Sequence, residues 1–138
     1  MIVKDTMSTH LVFVASDTPL QECARTMRDK GVGVLLVRDN GTFVGILTDR
    51  DICCRAVGDG LDPTTTTARD IMTDAIESCL VEDDCTVAAF IMQTKHLRRL
   101  AVMDRQQTVV GLLSVDDLAR YYPTLAGEVL ESAAPRAH

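Results

Sequence analysis

Short hydrophobic runs occur in two sets along the chain, and each set predicts a pair of neighbouring strands. In the first set, Val32–Arg38 and Thr42–Leu47 are rich in aliphatic and β-branched residues. Between them, Asn40-Gly41 is a tight-turn signal because both residues tolerate positive φ. In the second set, Arg99–Met103 and Thr108–Leu113 follow the same pattern. The chain therefore predicts two β-hairpins.

An amphipathic helix is predicted before each hairpin, over Pro19–Lys30 and over Thr86–His96. The first helix follows a Thr18-Pro19 pair, which is typical of an N-cap and the first helical residue. Its apolar residues at the spacing i, i+4, i+7 are Leu20, Ala24 and Met27. This spacing places them on one helical face.

Each unit contains one further strand and one further helix. Short strands are predicted at Leu11–Val14 and Ile76–Val81, upstream of the amphipathic helices, and closing helices begin at Asp49 and Val115. The resulting order is β-α-β-β-α, twice, which predicts an α/β fold of the α+β type. A unit of about 60 residues is only marginally stable alone, because it buries too little of its surface. Two such units are therefore expected to complete each other's core.

The sequence itself is duplicated. Val3–Ser8 matches Ala68–Thr73 at an offset of 65 residues, and VGILTDRD from Val44 matches VGLLSVDD from Val110 at an offset of 66. The connecting segment Gly58–Ala68 is rich in turn-forming residues. The predicted organisation is a first domain at 2–60, a linker at 61–67, a second domain at 68–122 and a tail at 123–138. In the tail, one or two helical turns are expected around Leu125–Leu130.

Composition and charge exclude several classes of protein. The formal net charge is −6 and the sequence pI is about 4.9, whereas a nucleic-acid binder needs clustered positive charge. No apolar run reaches the roughly 18 residues of a membrane span, and the first residues lack the apolar core of a signal peptide. The five cysteines are an odd number without a CxxC motif, so they are expected to be free thiols of a cytoplasmic protein.

The repeated units resemble a tandem pair of cystathionine-β-synthase (CBS) domains, the Bateman module. The resemblance covers about residues 2–122 and rests on DTM and DIM, Met27 and Met92, VLLV and RRLAV, the hairpin glycines, and the closing T/S-x-x-D. It implies two repeats packed as a pseudo-two-fold pair, as in small stand-alone bacterial CBS proteins. It also implies a non-catalytic regulatory homodimer with an unidentified protein target. The implied ligand, in the cleft between repeats, is AMP, ADP, ATP or S-adenosylmethionine.

The chemistry of the closing motif fits a ligand of this kind. A helix start exposes N–H groups that can hold a phosphate, and Thr48 or Ser114 adds a hydroxyl there. Asp51 or Asp117 lies one turn into the helix, where a carboxylate can accept both hydroxyls of a ribose. The small backbone near Gly33 is expected to leave a slot for a flat base.

The two copies predict sites of unequal strength. The second has Arg98 and Arg99 where the first has Gly33 and Val34. The resemblance implies that a basic residue here reaches a nucleotide phosphate, which suits a guanidinium group, although paired arginines are also found as solvated charge. Arg50 either supplies charge to the first site or pairs with a neighbouring acid. The better nucleotide site is predicted at Ser114 and Asp117 with Arg98 and Arg99, and the weaker at Thr48 and Asp51.

The same motifs allow other interpretations. T-x-x-D and S-x-x-D also fit a helix capping box, and a carboxylate folded back onto its own helix is not free for a sugar. A ligand-free dimerisation module is one alternative, because the apolar segment Ala88–Met92 is broad enough for both core and partner. A thiol or metal sensor using Cys53, Cys54 and His96 is another, although His96 is expected to end its helix. No nucleophile–base pair points to catalysis.

Overall fold

The protein has a mixed α/β fold in a computed structural model that describes residues 1–74 and 76–133, and the predicted fold class is confirmed. The strands are β1 Phe13–Ala15, β2 Val34–Asp39, β3 Thr42–Thr48, β4 Ser78–Leu80, β5 Arg99–Met103 and β6 Val109–Ser114. The helices are α1 Leu20–Lys30, α2 Asp49–Asp51, α3 Ala68–Ile71, α4 Cys85–Lys95, α5 Val115–Tyr121 and α6 Pro123–Ala133. Helix α2 continues as a π-helical turn, Ile52–Val57, and a 3-10 turn spans Val3–Asp5.

The chain forms two compact units that differ from the sequence repeats in one respect. The first repeat unit comprises Leu11–Ile76, and the second comprises Met1–His10 together with Glu77–His138. The segment that opens the first sequence copy therefore packs within the second repeat unit, and the segment that opens the second copy packs within the first. A reading of local patterns places each opening segment with the residues that follow it. In the structure, each opening segment instead packs with the repeat unit of the other copy.

Both sheets have the same topology. In the first repeat unit β1 pairs with β2 in parallel and β2 pairs with β3 antiparallel, and β4, β5 and β6 repeat this arrangement in the second unit. An irregularity in register follows Val37 in one hairpin and Val102 in the other. Since an irregularity of this kind bends and twists a strand, its presence at the same place in both copies gives the two sheets the same local shape.

The repeated hairpin glycine is explained by a crossing segment, which is the end of an opening segment where its backbone runs across the hairpin. In the first repeat unit Ile46 and Thr73 exchange two backbone hydrogen bonds, both of 2.9 Å, so that Thr73 runs directly past Gly45. A Cβ at Gly45 would lie 2.7 Å from the Thr73 carbonyl oxygen and 2.7 Å from the Met72 Sδ. The position therefore has no room for a side chain.

The second repeat unit has the same arrangement around Gly111. Ser8 and Leu112 exchange backbone hydrogen bonds of 2.8 and 3.0 Å. A Cβ at Gly111 would lie 2.5 Å from the Met7 Sδ. The methionine that ends each opening segment thus packs over the glycine of a hairpin, which accounts for the recurrence of both residues in the two copies.

The core of the first repeat unit includes one face of α1, but its membership differs from the prediction in one residue. Leu20 and Met27 are buried as expected, whereas Ala24 is exposed and Cys23 is buried. The buried spacing is therefore i, i+3, i+7, which lies on the same side of a helix as the predicted spacing. The cap prediction was also one residue early, because Pro19 is the N-cap and Leu20 the first helical residue.

The tail forms a longer helix than predicted. Helix α6 has 11 residues and buries Ala126 and Val129 in the core of the second repeat unit. Gln93 of α4 donates a hydrogen bond of 3.1 Å to Glu128. His96 ends α4, as predicted, and its φ is 57°. Its Nδ1 lies 3.1 Å from the Ser132 carbonyl oxygen. Contacts with α4 and α5 support this length, and the last five residues of the predicted tail lie outside the described residues.

No helix within residues 1–74 and 76–133 is long and apolar enough to span a membrane.

All five cysteines are free thiols, and their surroundings divide them into two groups. Cys23, Cys79 and Cys85 are buried, whereas Cys53 and Cys54 are exposed in the π-helical turn. Burial, assisted by the charge of Glu22, raises the pKa of Cys23 to about 11. Burial likewise raises the pKa of Cys79 to about 12. Since the thiolate is the nucleophile, reactivity is expected to be confined to the exposed pair.

Titration with an aromatic disulfide such as DTNB at pH 8 measures this partition. In the native protein two thiols are expected to react rapidly, each releasing one equivalent of the coloured thiolate of the reagent. In guanidinium chloride all five thiols are expected to react. Substitution of both Cys53 and Cys54 by serine should remove the rapid phase and leave three thiols that react only after unfolding. A third rapid equivalent in the native protein would contradict the burial of the remaining cysteines.

Candidate functional site

The start of α5 and the start of α2 are built in the same way. At α5 the Ser114 amide donates to Asp117 Oδ2 at 2.9 Å, and the Asp117 amide donates to Ser114 Oγ at 3.1 Å. At α2 the corresponding bonds between Thr48 and Asp51 are 3.0 and 3.1 Å. Both motifs are thus capping boxes, which fix the closing helix to the end of its strand.

The capping box uses only one oxygen of each carboxylate. An ionised aspartate has two oxygens and about four acceptor positions, so a capped carboxylate can still accept further hydrogen bonds. Within the described part of the chain, Asp117 Oδ1 has no protein partner, whereas Asp51 Oδ1 lies 3.8 Å from Arg55 Nε. Capping and ligand binding are therefore compatible at Asp117. At Asp51 the competitor is Arg55, rather than the backbone of the helix.

Two arginines lie beside the Ser114 end of β6. Arg99 is directly opposite Ser114 in the β5–β6 pairing, which puts the two side chains on the same face of the sheet. The carbonyl of Arg98 accepts a hydrogen bond of 3.0 Å from the Val115 amide. Both arginines are exposed, and neither forms an ion pair with a carboxylate among the residues that the structure describes. Two positive charges therefore border the Ser114–Asp117 motif.

The equivalent position in the first repeat unit has different chemistry. Val34 lies opposite Thr48, and the Gly33 carbonyl accepts a hydrogen bond of 3.0 Å from the Asp49 amide. A Cβ at Gly33 would lie only 2.9 Å from Asp49 Oδ2. The space beside Gly33, where the sequence predicted room for a flat base, therefore borders a carboxylate. Arg50 is exposed, and its backbone amide donates to Asp49 Oδ1 at 2.8 Å.

Sequence reasoning missed two residues that shape this region. Arg55 follows Asp51 by four residues, a spacing at which opposite charges on a helix meet, so the signal was present. Arg55 also donates a hydrogen bond of 3.0 Å from Nη1 to the Ile71 carbonyl, which no local pattern indicates. Asp49 aligns with Val115 of the other copy, so the alignment of the two copies already shows a charged residue in place of an apolar one. Its contact with Gly33 becomes evident only from the fold.

The interpretation of the sequence as a metal sensor requires a cluster of thiol and imidazole ligands. Across residues 1–74 and 76–133, there is no group of three or more histidine, cysteine, aspartate or glutamate side chains arranged to hold a metal ion. The described residues therefore add no support for a metal sensor.

Comparison with known proteins identifies related sequences. The sequence profile of the CBS domain matches residues 3–57 and 68–124. The chain is 34% identical over 120 residues to the CBS domain-containing protein YhcV of Bacillus subtilis, and the match covers 85% of this chain and 82% of that protein.

Solved structures share the fold. The conserved CBS domain protein TA0289 of Thermoplasma acidophilum superposes with a TM-score of 0.86 at 26% identity, over 97% of this chain and 76% of that one. PAE2072 of Pyrobaculum aerophilum, complexed with AMP, gives a TM-score of 0.77 at 23% identity, over 98% and 99%. The CBS domain pair of MJ0100, in complex with 5′-methylthioadenosine and S-adenosyl-L-methionine, gives 0.77 at 24%, over 89% and 96%.

Proposed function

Because this chain belongs to the CBS domain family and carries the domain twice, we propose that it is a non-catalytic regulatory module that binds an adenosine-containing ligand. We place the better site at Ser114 and Asp117, with Arg98 and Arg99, and we assign it AMP, ADP or ATP; S-adenosylmethionine is the other member of the ligand class. The observation that carries the proposal is that Asp117 Oδ1 has no protein partner within the described residues and lies in a motif bordered by two unpaired arginines.

Each part of the ligand would meet a suitable group. The two ribose hydroxyls donate to Asp117 Oδ1, and hydrogen bonds to a charged group contribute about 1.5–3 kcal/mol each. The phosphate accepts from Arg98 and Arg99, since guanidinium groups bind phosphate oxygens bidentately. The capping box supports this arrangement because it locks the rotamer of Asp117 before the ligand arrives. The structures of relatives with AMP, 5′-methylthioadenosine and S-adenosylmethionine favour the same ligand class.

The regulatory role would require that the ligand bind two states of the protein unequally, with a coupling free energy of about 1–3 kcal/mol. We propose a homodimer that acts on a separate protein target. We also place the protein in the cytoplasm, because free cysteines are typical of a reducing compartment.

Isothermal titration with AMP and with adenosine tests the assignment of the phosphate. The Arg98→Ala/Arg99→Ala variant is expected to lose at least about tenfold in AMP affinity, which corresponds to one charge-assisted hydrogen bond. Its affinity for adenosine should be unchanged. The matched control is Arg25→Ala/Arg28→Ala on the exposed side of α1, which changes the net charge equally. Equal losses for AMP and adenosine, or equal losses in the two variants, would refute the role of Arg98 and Arg99.

One observation favours a second function, a ligand-free dimerisation module. Helix α4 exposes Phe90, which is 66% accessible, and Val87, although its opposite face is already in the core. Sedimentation in the presence and absence of AMP separates the two functions. A dimer whose stability is the same with and without adenosine-containing ligands would favour the structural role.

A further inference from the structure

Helices α1 and α4 are the same element in the two copies, and each has 11 residues. Their inner faces correspond at the offset of 65 residues that relates the two copies. The corresponding buried residues are Leu20, Cys23 and Met27 in α1 and Cys85, Ala88 and Met92 in α4. Because equivalent positions face inward, equivalent positions also face outward, and the two outer faces can be compared residue by residue.

The outer faces of the two helices have different chemistry. Four positions opposite the buried faces are exposed in both helices, and they are Gln21, Glu22, Arg25 and Asp29 in α1 and Thr86, Val87, Phe90 and Thr94 in α4. Three of the four residues are charged in α1, whereas none is charged in α4. Val87 and Phe90, called here the apolar pair, are 45% and 66% accessible. Aromatic side chains and a scarcity of charge are typical of the centre of a protein interface.

Helix α6 gives this face of α4 an acidic border. Gln93 of α4 donates a hydrogen bond of 3.1 Å to Glu128 of α6, and Phe90 lies beside this contact because it precedes Gln93 by three residues. Glu131 follows Glu128 by three residues, so both carboxylates lie on one side of α6. Both glutamates are exposed, and neither forms an ion pair among the residues that the structure describes. Two negative charges without a cationic partner in this part of the chain therefore border the apolar pair.

The charge of this border distinguishes between two kinds of occupant. A second copy of the chain would bring Glu128 and Glu131 of both copies to one interface, where like charges disfavour association. The lysine of α4 does not offset them, because Lys95 Nζ already lies 3.9 Å from Glu77 Oε1. A partner helix with one apolar face and one basic face would instead cover the apolar pair and bring cations to the two carboxylates. The border therefore favours a basic partner over a second copy.

We propose that the apolar pair of α4, with its border of Glu128 and Glu131, is the docking surface for the regulated protein target, and that it takes a basic amphipathic helix of that target. The inference rests on the proposed function, because it assigns the partner of the regulatory module by its chemistry. The apolar pair supplies the contact that is withdrawn from water, and the two carboxylates orient the partner helix. The homodimer then forms through another surface.

The duplication supplies a test variant for this surface. Val87→Glu/Phe90→Arg gives α4 the two residues that α1 has at the same positions, so it removes the apolar pair and keeps the net charge. The variant is expected to fold, because both residues are exposed in α1 and in α4. The matched control is Glu22→Gln/Arg25→Gln, which alters the outer face of α1 and also keeps the net charge.

Fluorescence anisotropy with two synthetic amphipathic peptides of about 18 residues measures docking. The peptides share a leucine-rich apolar face, and the polar face carries lysine and arginine in one and glutamate in the other. The wild-type protein is expected to bind the basic peptide at least about tenfold more tightly than the acidic one. Val87→Glu/Phe90→Arg should weaken binding of the basic peptide by at least about tenfold, and Glu128→Gln/Glu131→Gln by roughly tenfold. The control on α1 should bind the basic peptide like the wild type.

The possible results separate this inference from the proposed function. Equal binding of the basic peptide by the wild type and by Val87→Glu/Phe90→Arg, or no binding by the wild type, would overturn the docking surface. A wild-type dimer that dissociates in this variant during sedimentation would assign the face to a second copy and would also overturn it. Titration of the same proteins with AMP measures the proposed function separately. AMP binding without peptide binding by the wild type would remove only the docking surface, whereas failure of the wild type to bind any adenosine-containing ligand would remove the proposed function.

Discussion

Replacement of Asp117 by alanine is expected to weaken AMP binding by roughly 100-fold or more and to lower the free energy of unfolding by only about 1 kcal/mol, the usual cost of a lost helix cap. The substitution removes Oδ1, the proposed acceptor for the ribose, together with Oδ2, which accepts from the Ser114 amide at 2.9 Å. Two charge-assisted hydrogen bonds lost to a ligand correspond to a reduction in affinity of roughly 100-fold or more. Calorimetric titration with AMP measures the first effect, and urea denaturation the second.

The chain provides a matched control for this variant. Thr67 and Asp70 form a third capping box, at the start of α3, with the Thr67 amide donating to Asp70 Oδ2 at 2.9 Å. Asp70→Ala should therefore destabilise the protein by a similar amount and leave AMP affinity unchanged. If both alanine variants bind AMP equally weakly, the loss comes from destabilisation. If both bind like the wild type, Asp117 does not contact the ligand.

Replacement of Gly45 by alanine is expected to cost about 2–4 kcal/mol of unfolding free energy, which extends beyond the roughly 1–3 kcal/mol that is usual for an added methyl group in a packed core. The new Cβ would lie 2.7 Å from the Thr73 carbonyl oxygen, which is backbone and is held by the two hydrogen bonds that Thr73 exchanges with Ile46. Relief of the clash would require the crossing segment to move away, and that movement would weaken both bonds. Urea denaturation gives the change directly.

Gly127→Ala is the control for Gly45→Ala because the chemical change is identical. Gly127 lies within α6, and a Cβ there has no atom within 4 Å. Alanine is better than glycine in a helix interior by up to about 1 kcal/mol, so this variant should be more stable than the wild type. A Gly45→Ala protein within about 0.5 kcal/mol of wild-type stability, the range of an ordinary surface substitution, would contradict the crossing arrangement.

Most of the predictions that depended on local chemistry agree with the structure to within one or two residues. The hairpin around Asn40-Gly41 and the closing helices from Asp49 and Val115 follow from turn and cap residues, which act over a few positions. The α1 face was identified, with Cys23 in place of Ala24, because both positions lie near the same side of the helix. Boundaries shifted by one or two residues, as at Leu20 and at Phe13.

The features that the sequence did not predict are non-local. The exchange of opening segments depends on Met7 and Met72 crossing hairpins of the other sequence copy, and the duplication gives no indication of which hairpin each one crosses. The length of α6 depends on the surface offered by α4 and α5. At the candidate site, the sequence posed capping and binding as competing roles of one carboxylate. The structure shows that the two oxygens of Asp117 can be used separately.

The repeated motif therefore combines three separate constraints. Its glycine admits a crossing segment, its hydroxyl and carboxylate cap a helix, and, among the described residues, the second carboxylate oxygen has no protein partner where no arginine follows four residues later. The copies agree in the first two constraints and differ in the third, since Arg55 is matched by Tyr121. The two copies thus share the fold and differ in the chemistry around their closing motifs.

A crystal structure of the protein grown with AMP tests the central claim most directly. It is expected to show both ribose hydroxyls within hydrogen-bonding distance of Asp117 Oδ1, while Oδ2 still accepts from the Ser114 amide and the phosphate lies against Arg98 and Arg99. AMP bound with its ribose away from Asp117, or a Ser114–Asp117 motif left unoccupied at saturating AMP, would contradict it.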